Sequence, residues 1–363
     1  MRSIDALTSI RFFAALYVLF LHSGSHFLLE RFPALGFLGP FFANGYMGVP
    51  FFFVLSGFIL AYIYAGKFRT RRDYSRYAVA RFARVYPVYL LALLALIPLV
   101  LAEFSWRSIP QFLLLQKWLP LDFDHVLQNV NEPAWSLSVE LGFYILFPPM
   151  VAVLGRLPVS GVGWIALAAC ALMLSLRLPS FVDMSNAPLA FVGAIPFVLL
   201  RVPEFVFGVC LGLVFRQRPD MFRSQWLLPS VLAATLAVLM SSSSLWVAPV
   251  ATICFGLLII GVAANEDSRI ARVLSNRWLM LAGAASYALY ILQYPVRYWV
   301  GQLFTGSAEI VGRLPYVPLL MAISIVVFLY FEEPVRERLR QKAGLPESQG
   351  GEVAAAVPAH RRG

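Results

Sequence analysis

Apolar runs of about 17–25 residues recur along nearly the whole chain, and a helix of that length crosses the hydrocarbon core of a bilayer. In lipid every backbone N–H and C=O must be paired internally, so such runs fold as helices or as a closed barrel. Barrel strands alternate apolar and polar residues over about ten positions, whereas these runs are continuous. Of 363 residues, 60% are hydrophobic and 13% charged, and the mean hydropathy is +0.75. A soluble domain carries about 25% charge. The sequence therefore predicts an all-α, polytopic integral membrane protein.

The run lengths predict about ten transmembrane helices, at 7–28, 46–66, 83–102, 138–155, 161–178, 198–215, 226–241, 246–264, 279–303 and 315–332. The tract 187–215 is interrupted by Pro196, Arg201, Pro203 and Glu204, a pattern that fits a re-entrant piece followed by a short span. The first run starts within ten residues of Met1 and has no small-residue cleavage site after it, so it reads as a retained span.

Charge orients these spans. With the N-terminus in the cytoplasm, the cytoplasmic segments hold 21 of the 29 Lys and Arg residues, mostly in "KFRTRRDYSRYAVARFAR", "RQRPDMFR", "RIARVLSNR" and the tail from Arg336. The opposite side holds six, and Arg11 and Arg297 lie within spans. This is the positive-inside pattern, and an even number of spans puts both termini in the cytoplasm. The net charge of +10 is thus a topology signal for a protein whose partner is the lipid bilayer, with no nucleic acid implied. Residues 1–342 are expected to form the membrane domain. Residues 343–363, "AGLPESQGGEVAAAVPAHRRG", lack apolar periodicity and read as a disordered cytoplasmic tail. The longest external loop, 103–137, is aromatic and mixed in charge, and is expected to pack on the membrane surface or over a cavity mouth. No internal repeat is visible, which weighs against a transporter. Cys170, Cys210 and Cys254 are far apart within apolar runs and show no metal-ligand spacing, so neither a disulfide framework nor a metal site is expected.

The first run, "LTSIRFFAALYVLFLHSG", carries Arg11 and His22. Eleven residues on a helix turn through three turns plus about 20°, so both lie on one face, about 16 Å apart along the axis. With the span ending at residue 28, His22 falls in the outer half, about 9 Å from that end. Ionisable groups inside a membrane face protein or water and mark function by default. The plainer alternative is that Arg11 snorkels to the inner interface and His22 bonds a neighbouring helix.

Four stretches in order carry a family resemblance: "IDALTSIRFFAALYVLFLHSG", with Arg and His separated by ten residues; "NGYMGVPFFFVLSGFILAY"; "RFARVYPVY"; and "WSLSVELGFYILFP". "RVPEFVFGVCLG", "ASYALYILQYPV" and "FEEPVR" come after them. Together they resemble the acyltransferase-3 family of membrane-embedded O-acyltransferases over residues from about 3 to 340. Two departures stand out. Gln293 occupies a position where members often carry His, and no SGNH-type hydrolase domain is appended.

The resemblance implies acyl transfer from a coenzyme A thioester to a hydroxyl, usually on a carbohydrate. Acyl-CoA, with acetyl-CoA the expected form, is then a co-substrate; no permanently bound cofactor is expected. The basic loop offers guanidinium groups that match phosphate bidentately. Most of that loop reads as topology-setting charge, but Arg81 and Arg84 abut a span and match the family motif, so they are donor-binding candidates together with Arg11. His22 is the candidate general base, since a near-neutral imidazole suits removal of a hydroxyl proton. Glu140 is its candidate carboxylate partner, as the third member of a triad orients the base; the alternative is a structural ion pair with Arg201 or Arg297. Ser56, beside Gly57, either lines the donor's acyl channel or merely lets helices approach closely. Trp135 and Ser138 are candidates for the acceptor mouth, against the alternative of ordinary interfacial aromatics. The expected function is O-acylation of a cell-surface or exported carbohydrate or glycolipid by a protein of the inner membrane. Two alternatives stay open: acylation of a cytoplasmic small molecule or lipid-linked intermediate, and a polysaccharide-precursor transporter or flippase.

Overall fold

The computed structural model describes residues 5–23, 25–102, 104–120, 123, 126–176, 194–242, 246–303, 316–346 and 353. Its principal helices are α1 (Asp5–His22), α2 (Gly48–Tyr64), α3 (Arg71–Ala95), α4 (Trp135–Leu154), α5 (Val159–Ser175), α6 (Val202–Gln217), α7 (Leu227–Leu239), α8 (Val247–Ala264), α9 (Arg277–Ala284), α10 (Ser286–Leu303), α11 (Tyr316–Val327) and α12 (Glu333–Lys342). Among the described residues there is no β-strand.

The fold is all-helical and apolar, that of a multi-pass membrane protein. Six stretches are long and apolar enough to cross a bilayer: Asp5–His22, Pro33–Tyr64, Arg71–Ala95, Glu132–Leu154, Val247–Ala264 and Tyr316–Lys342. The pair α9 and α10, bent by 53° at Ala285, supplies a seventh if it counts as one span. The other expected spans differ for identifiable reasons. The helices over 161–178 and 226–241 are shorter than expected, α5 having 17 residues and α7 having 13. The 198–215 region breaks at Arg201, where Pro203 enters the first turn of α6, the place where a missing N–H is tolerated.

The chain divides into two compact units. The first comprises Met1–Gly48, Thr70–Leu101 and Glu266–Gly363. Here α1 is gripped near both ends. Toward the C-terminal end of α1, a Cβ on Gly45 would lie 2.8 Å from the Tyr17 carbonyl, and one on Gly48 would lie 2.6 Å from that of Ala14. Near its start, a Cβ on Gly283 of α9 would lie 2.0 Å from the Thr8 carbonyl. Only glycine permits these approaches. Helix α10 is tied to α3 at two heights: the Tyr287 hydroxyl donates to the Val85 carbonyl at 2.6 Å, and the Trp299 indole donates to that of Ala95 at 2.7 Å. Helix α3 starts with a capping box, in which the Thr70 backbone N–H donates to Asp73 at 2.8 Å.

The second unit comprises Val49–Arg69 and Ala102–Asn265. Lipid supplies no hydrophobic drive for helix pairing, so close packing of small residues must do so. Helices α2 and α6 meet in this way: Gly57 lies against the backbone of Phe205 and Val209, Gly208 against Val54, and Gly212 against Phe58. Aromatic rings fill the space beside this crossing. Phe143 of α4 stacks on Phe205 of α6 at 4.6 Å and meets Phe53 of α2 edge-on at 5.0 Å, contacts worth about 0.5–1.5 kcal/mol each beyond their burial. The described part of the 103–137 loop folds on itself. Its Ser108, Gln111, Gln116 and Asn131 are buried, and the Gln116 amide donates to the Ala134 carbonyl at 3.1 Å.

Of the expected tail, Ala343–Pro346 is described and continues from α12, with the Arg340 guanidinium donating to the Pro346 carbonyl at 2.6 Å. The remainder, except Val353, lies outside the described residues.

Candidate active site

The expected site residues fall into a set in each unit. In the first unit, α1 runs unbroken from Asp5 to His22. Arg11 and His22 therefore stay on one helix, about 16 Å apart along its axis. Arg11 is half-buried, and His22 is exposed. Here the structure differs from the expected span 7–28. The helix ends at His22, and a second, seven-residue helix begins at Ser25. The intervening Ser23-Gly24 and then Ser25 explain the stop, because serine competes for backbone hydrogen bonds and glycine has the least helix propensity after proline. His22 is thus the terminal residue of α1, not one buried a third of the way into a longer span. Its backbone carbonyl accepts from Arg297 Nη1 of α10 at 3.3 Å.

Arg81 and Arg84 lie one turn apart on α3, and both are half-buried. Arg84 is held in an ion cluster that the sequence did not reveal. Its Nη1 donates to Glu332 Oε1 at 2.9 Å. The same oxygen accepts from Arg336 Nη2, while Arg336 Nη1 donates to Glu333 Oε2 at 2.6 Å. The Arg84 guanidinium also lies over the Tyr287 ring, 5.5 Å from its centre. These acids belong to "FEEPVR", which signalled family likeness but no contact. A separation of 248 positions between Arg84 and Glu332 hides that pairing from any local pattern.

In the second unit, Ser56 and Glu140 come together. The Ser56 hydroxyl donates to Glu140 Oε1 at 3.4 Å, and the Tyr144 hydroxyl donates to the same oxygen. Among the described residues the partners of Glu140 are hydroxyls, not cations. The expected alternative of an ion pair from Arg201 is not what Arg201 makes here: it pairs with Glu204 at 3.1 Å and lies over the Phe53 ring at 5.6 Å. The two readings of the Ser56–Gly57 pair divide between the residues, with Gly57 serving the helix crossing and Ser56 serving the carboxylate. Tyr144 was missed, although its i,i+4 spacing from Glu140 puts both on one helix face.

Trp135 opens α4 with its ring edge-on to Phe53 at 6.2 Å and to Phe197 at 5.5 Å. Ser138 is fully buried and ties down the preceding loop. Its hydroxyl accepts from the Lys117 N–H at 3.1 Å, and its carbonyl accepts from the Trp118 indole at 3.2 Å. Among the described residues no cluster of His, Cys, Asp and Glu could hold a metal ion.

An all-helical membrane fold with these ordered motifs defines a class. The chain belongs to the acyltransferase-3 family: residues 4–333 match the family model, described as an acyltransferase domain. It is an acyltransferase. Among curated proteins it is similar to the acyltransferase MdmB of Streptomyces mycarofaciens, at 29% identity over 329 residues, covering 84% of this chain and 81% of that protein. It is also similar to the O-acetyltransferase OatA of Staphylococcus aureus, at 22% identity over 392 residues, covering 96% of this chain and 60% of OatA. The chain thus spans less than two thirds of OatA. No solved structure matches it significantly.

Proposed function

We propose that this protein is an O-acyltransferase of the inner membrane that moves an acyl group, acetyl in the first instance, from cytoplasmic acyl-CoA to a hydroxyl of a cell-surface or exported carbohydrate. The observation that carries this reading is the unbroken helix bearing Arg11 and His22 in a chain of the acyltransferase-3 family. The similarity to a protein named O-acetyltransferase supports the choice of a hydroxyl acceptor.

In this reading the chain crosses the membrane ten times, and both termini are cytoplasmic. Residues 1–342 form the catalytic domain, with a short tail after it. Arg11, Arg81 and Arg84 bind the phosphates of the donor, because guanidinium groups pair bidentately with phosphate. Ser56 lies along the path of its acyl arm. His22 takes the proton of the acceptor hydroxyl as that oxygen attacks the thioester carbonyl, and the CoA thiolate leaves. Glu140 supports the same step with its charge. Trp135 offers a ring face to the sugar, and Ser138 holds the loop beside it. Since Arg11 and His22 sit three turns apart, one helix serves a donor from the cytoplasm and an acceptor approaching from the other side.

The test uses membranes containing the full chain, acetyl-CoA and a carbohydrate acceptor. Wild type is expected to release free CoA thiol in step with acceptor acylation, and His22→Ala is expected to lose about 10²–10⁴-fold in rate, the range of general-base catalysis. Full activity in a stably expressed His22→Ala would end the assignment. Acceptor movement without thiol release would point to the transporter alternative instead.

A further inference from the structure

Two cations and two carboxylates, Arg84, Arg336, Glu332 and Glu333, lie together in the first unit with side-chain exposures of 16%, 7%, 1% and 5%. Replacing such a buried ionic group with well-packed apolar residues is often neutral or stabilising, so stability alone does not account for it. The backbone also departs from regularity at this point. Residues Phe328–Glu332 form a π-helical turn between α11 and α12, and its last residue is Glu332. Pro334 explains the turn: it lacks the N–H that would close on the carbonyl four residues back, and its ring crowds that carbonyl. The extra residue in a π turn rotates the next part of the helix by about 100° relative to an unbroken α-helix. The residues so re-aimed are the acids that meet Arg84 and Arg336.

The geometry around Arg84 is that of a clamp. Glu332 holds Nη1, and the Tyr287 ring covers one face of the guanidinium. Glu332 is itself braced by Arg336, which Glu333 fixes in turn. Arg84 Nη2 is buried and makes no hydrogen bond among the described residues. An arginine anchored at one nitrogen and on one face has its remaining nitrogen directed, and a charged contact there is little weakened by water.

We propose that Glu332 is a positioning residue for donor binding: it holds the Arg84 guanidinium so that Nη2 meets a phosphate of the acyl-CoA donor. This rests on the proposed role of Arg84 as a donor contact. The test measures CoA binding by calorimetry on the purified full chain in detergent, with steady-state kinetics for donor and acceptor, in wild type, Arg84→Gln, Glu332→Gln, Glu332→Asp and Glu333→Gln. Glu332→Gln is expected to weaken CoA binding and raise the donor KM by about tenfold, the size of one charge-assisted hydrogen bond, with kcat and the acceptor KM within about twofold. Glu332→Asp is expected to recover part of the loss. Glu333→Gln, which reaches Arg84 only through Arg336 and Glu332, is expected to raise the donor KM less than Glu332→Gln does. Unchanged CoA binding in Glu332→Gln, alongside weakened binding in Arg84→Gln, overturns the role of Glu332 alone. Unchanged binding in Arg84→Gln overturns the donor-contact reading, and the Glu332 role falls with it. A uniform fall in kcat and both KM-dependent rates marks a merely structural role and also overturns the proposal. If Glu332→Gln does not fold, Glu332→Asp decides: an unchanged donor KM there overturns it.

Discussion

Glu140 takes both of its hydrogen bonds on one carboxylate oxygen, from a serine on another helix and a tyrosine one turn along its own. This fixes the plane of the carboxylate without placing a counter-charge beside it. Hydrogen bonds to a charged group are worth about 1.5–3 kcal/mol. If Glu140 supports proton transfer, Tyr144→Phe keeps the ring and removes one of the two restraints. Its kcat is expected to fall about tenfold, with a change in unfolding midpoint no larger than one such hydrogen bond explains. Acylation assays and thermal unfolding of the same preparation check both parts. The Glu140–Tyr144 pairing was legible in the sequence as an i,i+4 spacing. The Ser56–Glu140 pairing, across 84 residues, was not. His22 teaches the reverse lesson. The Ser-Gly-Ser directly after it is a visible stop signal, and it prevails over the apolar length of the run to residue 28 that predicts a longer span.

At the level of elements, the crossing of α2 and α6 decides whether the second unit packs. A Cβ on Gly208 would lie 2.1 Å from the Val54 carbonyl, a contact that only backbone movement relieves. Gly208→Ala is therefore expected to destabilise by about 1–3 kcal/mol, the usual size of overpacking, read as a lowered unfolding midpoint in detergent. Gly163 of α5, with nothing within 4 Å of its notional Cβ, is the control. There the alanine is expected to stabilise by about 0.5–1 kcal/mol through helix propensity. Gly57 of "LSGF" was legible as a packing candidate, but the partner it would meet was not. Similarly, the prolines and Arg201 announced interruptions, while the 53° bend at Ala285 has no proline beside it.

At the scale of the molecule, charge and length give different kinds of information. In the ten-span reading, the lopsided distribution of Lys and Arg puts both termini in the cytoplasm. Length alone, applied to the described helices, gives six spans or seven, because α5, α6 and α7, with 17, 16 and 13 residues, are shorter than the 18 residues of α1 and α8. Ten crossings predict that a phosphatase reporter inserted after residue 243 is active outside the cytoplasm and that one after residue 267 is inactive. Activity at both positions, or at neither, would remove the ten-span arrangement.

The sequence by itself determined the solvent this chain folds in, its helical class, its family and the residue types available for acyl transfer. Those depend on local composition and order, not on what any segment touches. Only the tertiary structure decided that Glu332 holds Arg84 and that Ser56 meets Glu140. Both are contacts between groups far apart in the chain, 248 and 84 positions, which only packing brings together and no stretch of sequence states alone.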